Sequence, residues 1–196
     1  MYNYEFTLAA KGILVPQDHG YMLHSALSKQ FPFLHGRHGL QIAPLRGTRT
    51  QEEHPQLILD SDTILHVRGI SNEEADQMLD HGYFFLGSRQ VWVKSYRKTP
   101  LRPSDRLVSR LVLFRDAVDG MAFIETLKSK VPEGVSIEVG RSRAALVKKT
   151  PDRLRVWKGY RVTLTNLTPE QSLSIQQTGI GHCRALGCGV FYRGTL

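Results

Sequence analysis

Apolar and polar positions alternate over residues 2–10 with the period of two that marks a half-buried strand, and the period changes directly afterwards. Over residues 20–31, Leu23, Leu27 and Phe31 recur at helical spacing with Met22 and Ala26 beside them. Asp18 stands where it can cap this helix, and Pro32 stops it. The helix's other side carries Tyr21, His24 and Ser28 at i, i+3 and i+7. Residues 40–45, 57–59 and 63–68 predict strands, the last two joined by the turn Asp60-Ser-Asp62. Ser71 followed by Glu74 is a capping-box pattern and opens a helix to about His81. Residues 83–86 and 90–95 form a predicted hairpin around Gly87-Ser88.

Residues 96–106, with Pro100 and Pro103, break the pattern and predict a linker. The order then begins again, with a strand at 107–115, a helix at 120–130, and strands near 135–139, 154–157 and 160–167. Thr168 at a cap, Pro169 in the first turn and Gln171 at the capping-box position start a last helix that ends at Gly179. Residues 188–192 predict a final strand. Apart from additional short strands in each half, the pattern strand, helix, two strands, helix, strand is read twice, the order of the split-βαβ unit. The expected fold is α+β, with two tandem ferredoxin-like domains over residues 1–95 and 107–196.

Composition narrows what such a chain does. With 196 residues and 41% hydrophobic side chains it can bury a core, and its net charge of +8 favours a polyanionic partner. The charge is segregated. Residues 89–115 and 141–161 each hold eight basic residues and one acid, whereas residues 51–80 hold eight acids and one base. That distribution points to one basic face for nucleic acid, the alternative being ordinary solvated strands and a solvated helix. Two cysteines exclude a disulfide framework, no cysteine and histidine spacing resembles a zinc site, and no metal or cofactor is expected. The first residues lack a secretory pattern and no stretch reaches the ~20 apolar residues of a membrane span, so the expectation is a cytoplasmic protein without membrane contact.

The glycine-rich segment at 179–191, Gly-Ile-Gly-His-Cys-Arg-Ala-Leu-Gly-Cys-Gly-Val-Phe, joins the last helix to the last strand. Gly179, Gly181, Gly187 and Gly189 permit positive φ and close backbone approach, which can turn N–H groups toward phosphate, and His182 and Arg184 lie among them. The spacing is neither a dinucleotide fingerprint nor a Walker loop. The segment resembles the C-terminal glycine-rich loop of the CRISPR-associated endoribonucleases called the Cas-six family, within the RAMP group of paired ferredoxin-like RNA-binding proteins. Residues 18–28, Asp-His-Gly-Tyr-Met-Leu-His-Ser-Ala-Leu-Ser, and 32–36, Pro-Phe-Leu-His-Gly, resemble that family's first helix and the loop after it.

The resemblance implies metal-independent cleavage of CRISPR repeat RNA at a stem-loop, by 2′-hydroxyl attack that leaves a 2′,3′-cyclic phosphate. It also implies retention of the crRNA 3′ hairpin within a CRISPR effector (Cascade) complex of several subunits. RAMP proteins that bind crRNA without cutting share the loop, so a structural subunit is the alternative. Histidine suits the base because its pKa lies near working pH. His24 is the first candidate and His35, in the following loop, the second; Tyr21 can orient the substrate or protonate the leaving oxygen. His19 reads as structural, and Lys29 matches the family only by spacing. Arg141 and Arg143 follow a predicted strand, Lys148, Lys149, Arg153 and Arg155 flank a predicted hairpin suited to clamping an RNA stem, and Arg102, Arg106 and Arg110 form a second basic series. Trp92 and Trp157 read first as sheet-packing side chains, with base stacking as the functional alternative. Cys183 and Cys188 read as small buried side chains.

Overall fold

Alternation of apolar and polar side chains, interrupted by two capping boxes, produces two units, Met1–Pro100 and Leu101–Leu196. The computed structural model describes residues 2–53, 56–117, 119–150 and 153–194, except for the side chains of 144–150 and 153–155.

In the first unit the elements are β1 (Tyr2–Ala9), β2 (Leu14–Pro16), α1 (Gly20–Gln30), β3 (Gln41–Ile42), β4 (Thr48–Arg49), β5 (Gln56–Ile58), β6 (Thr63–Arg68), α2 (Asn72–His81), β7 (Tyr83–Leu86) and β8 (Arg89–Pro100). The main sheet has the order β3-β6-β1-β8-β7 with antiparallel neighbours, and β2-β5-β4 form a small second sheet. Without β7 the main sheet has the ferredoxin-like order, with the first strand at the centre between β6 and β8. Phe6, Leu8, Leu65 and Phe84 of the sheet are fully buried, as are Leu27 of α1 and Met78 of α2. The capping box of α2 is complete. Ser71 Oγ accepts from the Glu74 N–H at 3.2 Å, and the Ser71 N–H donates to Glu74 Oε2 at 2.7 Å. Gly82, at φ 79°, closes the helix in the left-handed conformation that glycine adopts without steric cost.

The second unit comprises β9 (Leu107–Val112), α3 (Gly120–Lys128), β10 (Ser136–Thr150), β11 (Arg153–Thr165), α4 (Pro169–Thr178) and β12 (Tyr192–Arg193). Its sheet order, β10-β11-β9-β12, is again ferredoxin-like. The core joins Leu107, Val162 and Leu164 of the sheet with Phe123 and Leu127 of α3 and Ile175 of α4. Among the described residues no helix is long and apolar enough to cross a membrane.

Several expectations about boundaries differ from the structure; the final strand, expected at 188–192, is confined to Tyr192–Arg193, because Gly189 at φ 65° still belongs to the folded-back loop. Tyr96–Pro100 is not linker but the end of β8, paired with β1 from Tyr96↔Phe6 to Pro100↔Tyr2. A proline at the last position of a strand forfeits only one donor, so Pro100 ends the strand without preventing it. The stretches expected as separate strands at 154–157 and 160–167 are one strand, β11, running through Gly159. A Cβ there would collide with the Val112 carbonyl of the neighbouring strand, so this glycine permits close backbone approach and makes no turn. The strand expected at 40–45 is reduced to Gln41–Ile42, followed by the bond from the Ala43 N–H to the His66 carbonyl; Pro44, with no N–H, cannot continue the ladder.

Candidate functional site

Helix α1 sorts its side chains as its spacing dictates. Leu23 and Leu27 are buried, while Tyr21, one turn before His24, is exposed and His24 is half-buried. His24 Nε2 and Ser28 Oγ, one turn apart on that face, share a hydrogen bond of 3.2 Å. Burial, and secondarily the charge of the neighbouring His35, push the His24 pKa below its ordinary value. The helix and the turn after it therefore bring together two histidines eleven positions apart in sequence, one half-buried and one exposed. His35 ends the 3-10 turn Pro32–Leu34, which leaves it exposed just after the helix. Neutral at pH 7, His24 is able to accept a proton.

His19, five positions earlier, has another task. Its ring is 1% exposed, with Nδ1 at 2.9 Å from the Pro16 carbonyl and Nε2 at 2.8 Å from the Leu45 N–H. A carbonyl only accepts and an amide N–H only donates, so Nδ1 carries the proton and Nε2 the lone pair. Both ring nitrogens are committed to backbone, and His19 ties the entry to α1 to the chain after β3. The helix start is not capped by a side chain, and the expected Asp18 cap is absent.

The glycine-rich loop of the second unit folds back on its own chain. The N–H groups of Ile180, His182 and Gly189 donate to the carbonyls of Gly189, Leu113 and Leu111. Those of Leu186, Gly187 and Cys188 close turns onto Cys183 and Arg184. A Cβ on Gly179 would lie 2.6 Å from the Gly189 carbonyl oxygen, one on Gly181 2.6 Å from that of Leu113, and one on Gly189 would strike that of Ile180. All three have positive φ, as do Gly187 and Cys183. The glycines thus allow three backbone segments to approach, and most of the N–H groups expected to face a ligand are spent inside the loop. Arg184, the charged group among these glycines, donates from one terminal nitrogen to the Thr178 carbonyl at 2.6 Å and lies over Gly179. There it complements the C-terminal end of α4. His182 Nδ1 accepts from the Arg115 N–H at 3.2 Å, and burial, then the Arg115 charge, lower its pKa.

Arg115 is a residue that sequence reasoning missed. Its guanidinium lies 5.0 Å from the centre of the Trp157 ring and hydrogen-bonds the Cys183 thiol, whose pKa burial raises. It lies in a basic block, but the partners that fix it come from β11 and the glycine-rich loop, so no local motif marks it. Trp157 packs in the small cluster of Leu111, Leu113, Cys188, Cys183 and Leu186, in line with its sheet-packing reading. Arg102, Arg106, Arg141 and Arg143 are exposed and Arg110 is half-buried. The side chains of Lys148, Lys149, Arg153 and Arg155 lie outside the described residues.

A model of the family described as Cas6 Crispr matches residues 3–195 of this sequence. The chain belongs to the Cas6 family. A CRISPR-associated endonuclease Cas6 of Myxococcus xanthus (strain DK1622) is 32% identical over 181 residues, 90% of this chain and 75% of the relative. Among solved structures, a CRISPR-associated protein Cas6 superposes with a TM-score of 0.71 at 12% identity, covering 99% of both chains. The product of a Cas6-related gene from Pyrococcus furiosus gives 0.67 at 13% identity over 97% of both. Thermus thermophilus Cse3, solved with an RNA representing a pre-cleavage complex, gives 0.52 at 16% identity over 98% of both. These likenesses establish the fold as that of the Cas6 and RAMP proteins, two tandem ferredoxin-like domains.

Proposed function

We propose that this protein is a metal-independent endoribonuclease that cuts CRISPR repeat RNA beside a stem-loop. The observation that carries the reading is the half-buried His24 with a depressed pKa next to the exposed His35, on a chain of the Cas6 family. His24 takes the proton of the 2′-hydroxyl, whose oxygen forms a bond to the adjacent phosphorus. The bond from phosphorus to the 5′ oxygen breaks, and His35 returns a proton to that oxygen. The products are a 2′,3′-cyclic phosphate and a 5′-hydroxyl end. With Nε2–H donating to Ser28 Oγ, the Nδ1 lone pair of His24 is open for the base role. Tyr21, exposed one turn before, orients the ribose.

The glycine-rich loop and the β10–β11 hairpin, with Arg115, Arg141 and Arg143, hold the stem by its shape and phosphates. The product hairpin stays bound, and the protein acts in the cytoplasm as a subunit of a CRISPR effector complex. The test is incubation of the protein with repeat RNA in excess EDTA. A single cut with a cyclic phosphate end is expected, together with a loss of about 100-fold or more in rate for His24→Ala at unchanged RNA affinity. A 2′-deoxy substitution at the scissile nucleotide blocks the cut and spares binding. Tight hairpin binding with no cut under any condition overturns the nuclease and leaves the crRNA-holding subunit; full activity in His24→Ala removes His24 as the base.

A further inference from the structure

The outer edge of the first unit's sheet carries rings that the proposed cleavage does not use. Strand β7 is the outermost strand, and its Tyr83 pairs directly with Trp92 of β8. Phe31, just after α1, meets the His81 ring at 5.8 Å; His81 meets Tyr83 at 4.8 Å; and Tyr83 meets Trp92 at 5.4 Å and Phe85 at 5.8 Å. The series runs from the core to the surface. Phe31 is buried and Tyr83 half-buried, while Phe85 is 50% and Trp92 52% exposed. Inner rings thus prop the outer two, which stand in water at the end of the sheet, Phe85 on the edge strand β7 and Trp92 on its neighbour β8, where exposed apolar area is a liability unless something covers it.

Three features of the patch identify its occupant. Its exposed members are aromatic, and a π face accepts any nucleobase. Residues 83–100, the whole β7–β8 hairpin, contain four basic residues and no acid. Two of the four are neutralised, Lys94 by Asp62 and Arg97 by Glu5; Arg89, exposed at the hairpin turn and paired with Leu86 on the face opposite Trp92 and Phe85, is in no ion pair among the described residues and adds positive potential at this end of the hairpin. The patch is also continuous with the candidate catalytic helix, since the His81 ring is hydrogen-bonded by Gln30, the last residue of α1.

We propose that Trp92 and Phe85 form a stacking platform for single-stranded RNA, taking unpaired bases that flank the repeat stem. The inference rests on the reading of the chain as a repeat-RNA nuclease, and its test separates the two. The protein has two tryptophans, so Trp157→Phe leaves Trp92 as the sole indole reporter. Repeat RNA with an unpaired flank, and a short oligoadenylate, should quench its fluorescence, and the bare stem-loop should not. Trp92→Ala and Phe85→Ala should each weaken binding of the flanked RNA by about tenfold, the usual loss when one base loses its ring. Trp92→Tyr should retain most of the affinity, whereas Trp92→Leu, still apolar but without a π face, should lose it. Absence of quenching by both single-stranded probes, or wild-type affinity in Trp92→Leu, overturns the platform. So does self-association in sedimentation that Trp92→Ala abolishes without any RNA response, which would make the patch a protein contact. If the nuclease reading alone fails, the protein quenches and binds but leaves the repeat uncut; if the platform alone fails, it cuts while Trp92 stays silent.

Discussion

Replacing His19 by alanine removes the acceptor of the buried Leu45 N–H and the donor to the Pro16 carbonyl in one step. A buried polar group left without its partner costs about 1–3 kcal/mol; the Leu45 N–H is such a group, whereas Pro16 is exposed and water can satisfy its carbonyl, so with the lost ring volume the expected destabilisation is roughly 2–4 kcal/mol. For a unit of this size each kcal/mol lowers Tm by about 4–8 °C, so the first unit should melt at least ~8 °C lower. His19→Asn is the informative companion. Its Nδ2 can reproduce the donor to Pro16 but not the acceptor for the buried Leu45 N–H, so most of the loss should remain. Thermal unfolding followed by circular dichroism measures both, with His24→Ala as the half-buried reference. Cleavage is then assayed well below each variant's transition. The reasoning is refuted if His19→Ala melts like the wild type, and more sharply if it does so while losing repeat cleavage, which would move His19 from scaffold to chemistry.

Gly189→Ala would force a Cβ into the Ile180 carbonyl at φ 65°, so the loop must open and give up the bonds between Ile180 and Gly189 and between Gly189 and Leu111. A loss of about 3 kcal/mol or more in the second unit is expected in urea unfolding, against about 1 kcal/mol for Gly134→Ala, which has positive φ but open space around it. Acid should weaken both folding and cleavage. The pKa values of His24, His66 and His182 are all lowered, first of all by burial. Between those folded values and the unfolded value of 6.5 the unfolded chain binds more protons, so stability is complete above about pH 6.5 and falls as pH drops through that window. The acid limb of the cleavage rate, set by protonation of His24, should lie below pH 6.5; in His35→Gln, which removes both the proposed proton donor and the neighbouring charge, the rate should fall and the acid limb of what remains should move up toward the ordinary histidine range. A limb that does not move denies the coupling.

Local chemistry announced much of the architecture. Both capping boxes, Ser71 with Glu74 and Thr168 with Gln171, are formed as the sequence predicts, because a cap is made by residues three positions apart and needs nothing from elsewhere. The polar face of α1 was legible for the same reason, since helical spacing alone puts His24 beside Ser28. Glycines and prolines misled where their meaning was tertiary. Gly159 reads as a break and is a point of close approach to Val112, and Pro100 reads as a linker and is a strand end set by its register with Tyr2.

The sequence by itself determined the helices and the main-sheet strands of both units, the helix carrying His24, the position of the glycine-rich loop and the membership of the chain in its family, because periodicity, caps and motifs are local properties; the two short strands β2 and β4 it did not mark. Tertiary structure alone decided which polar groups are free to act. It committed both nitrogens of His19 to Pro16 and Leu45, turned most of the loop's N–H groups inward, tied Arg184 to Thr178, and set Arg115 between Trp157 and Cys183. The physical reason is that a buried donor or acceptor must find a partner wherever the fold supplies one, and that partner lies at no fixed distance along the chain.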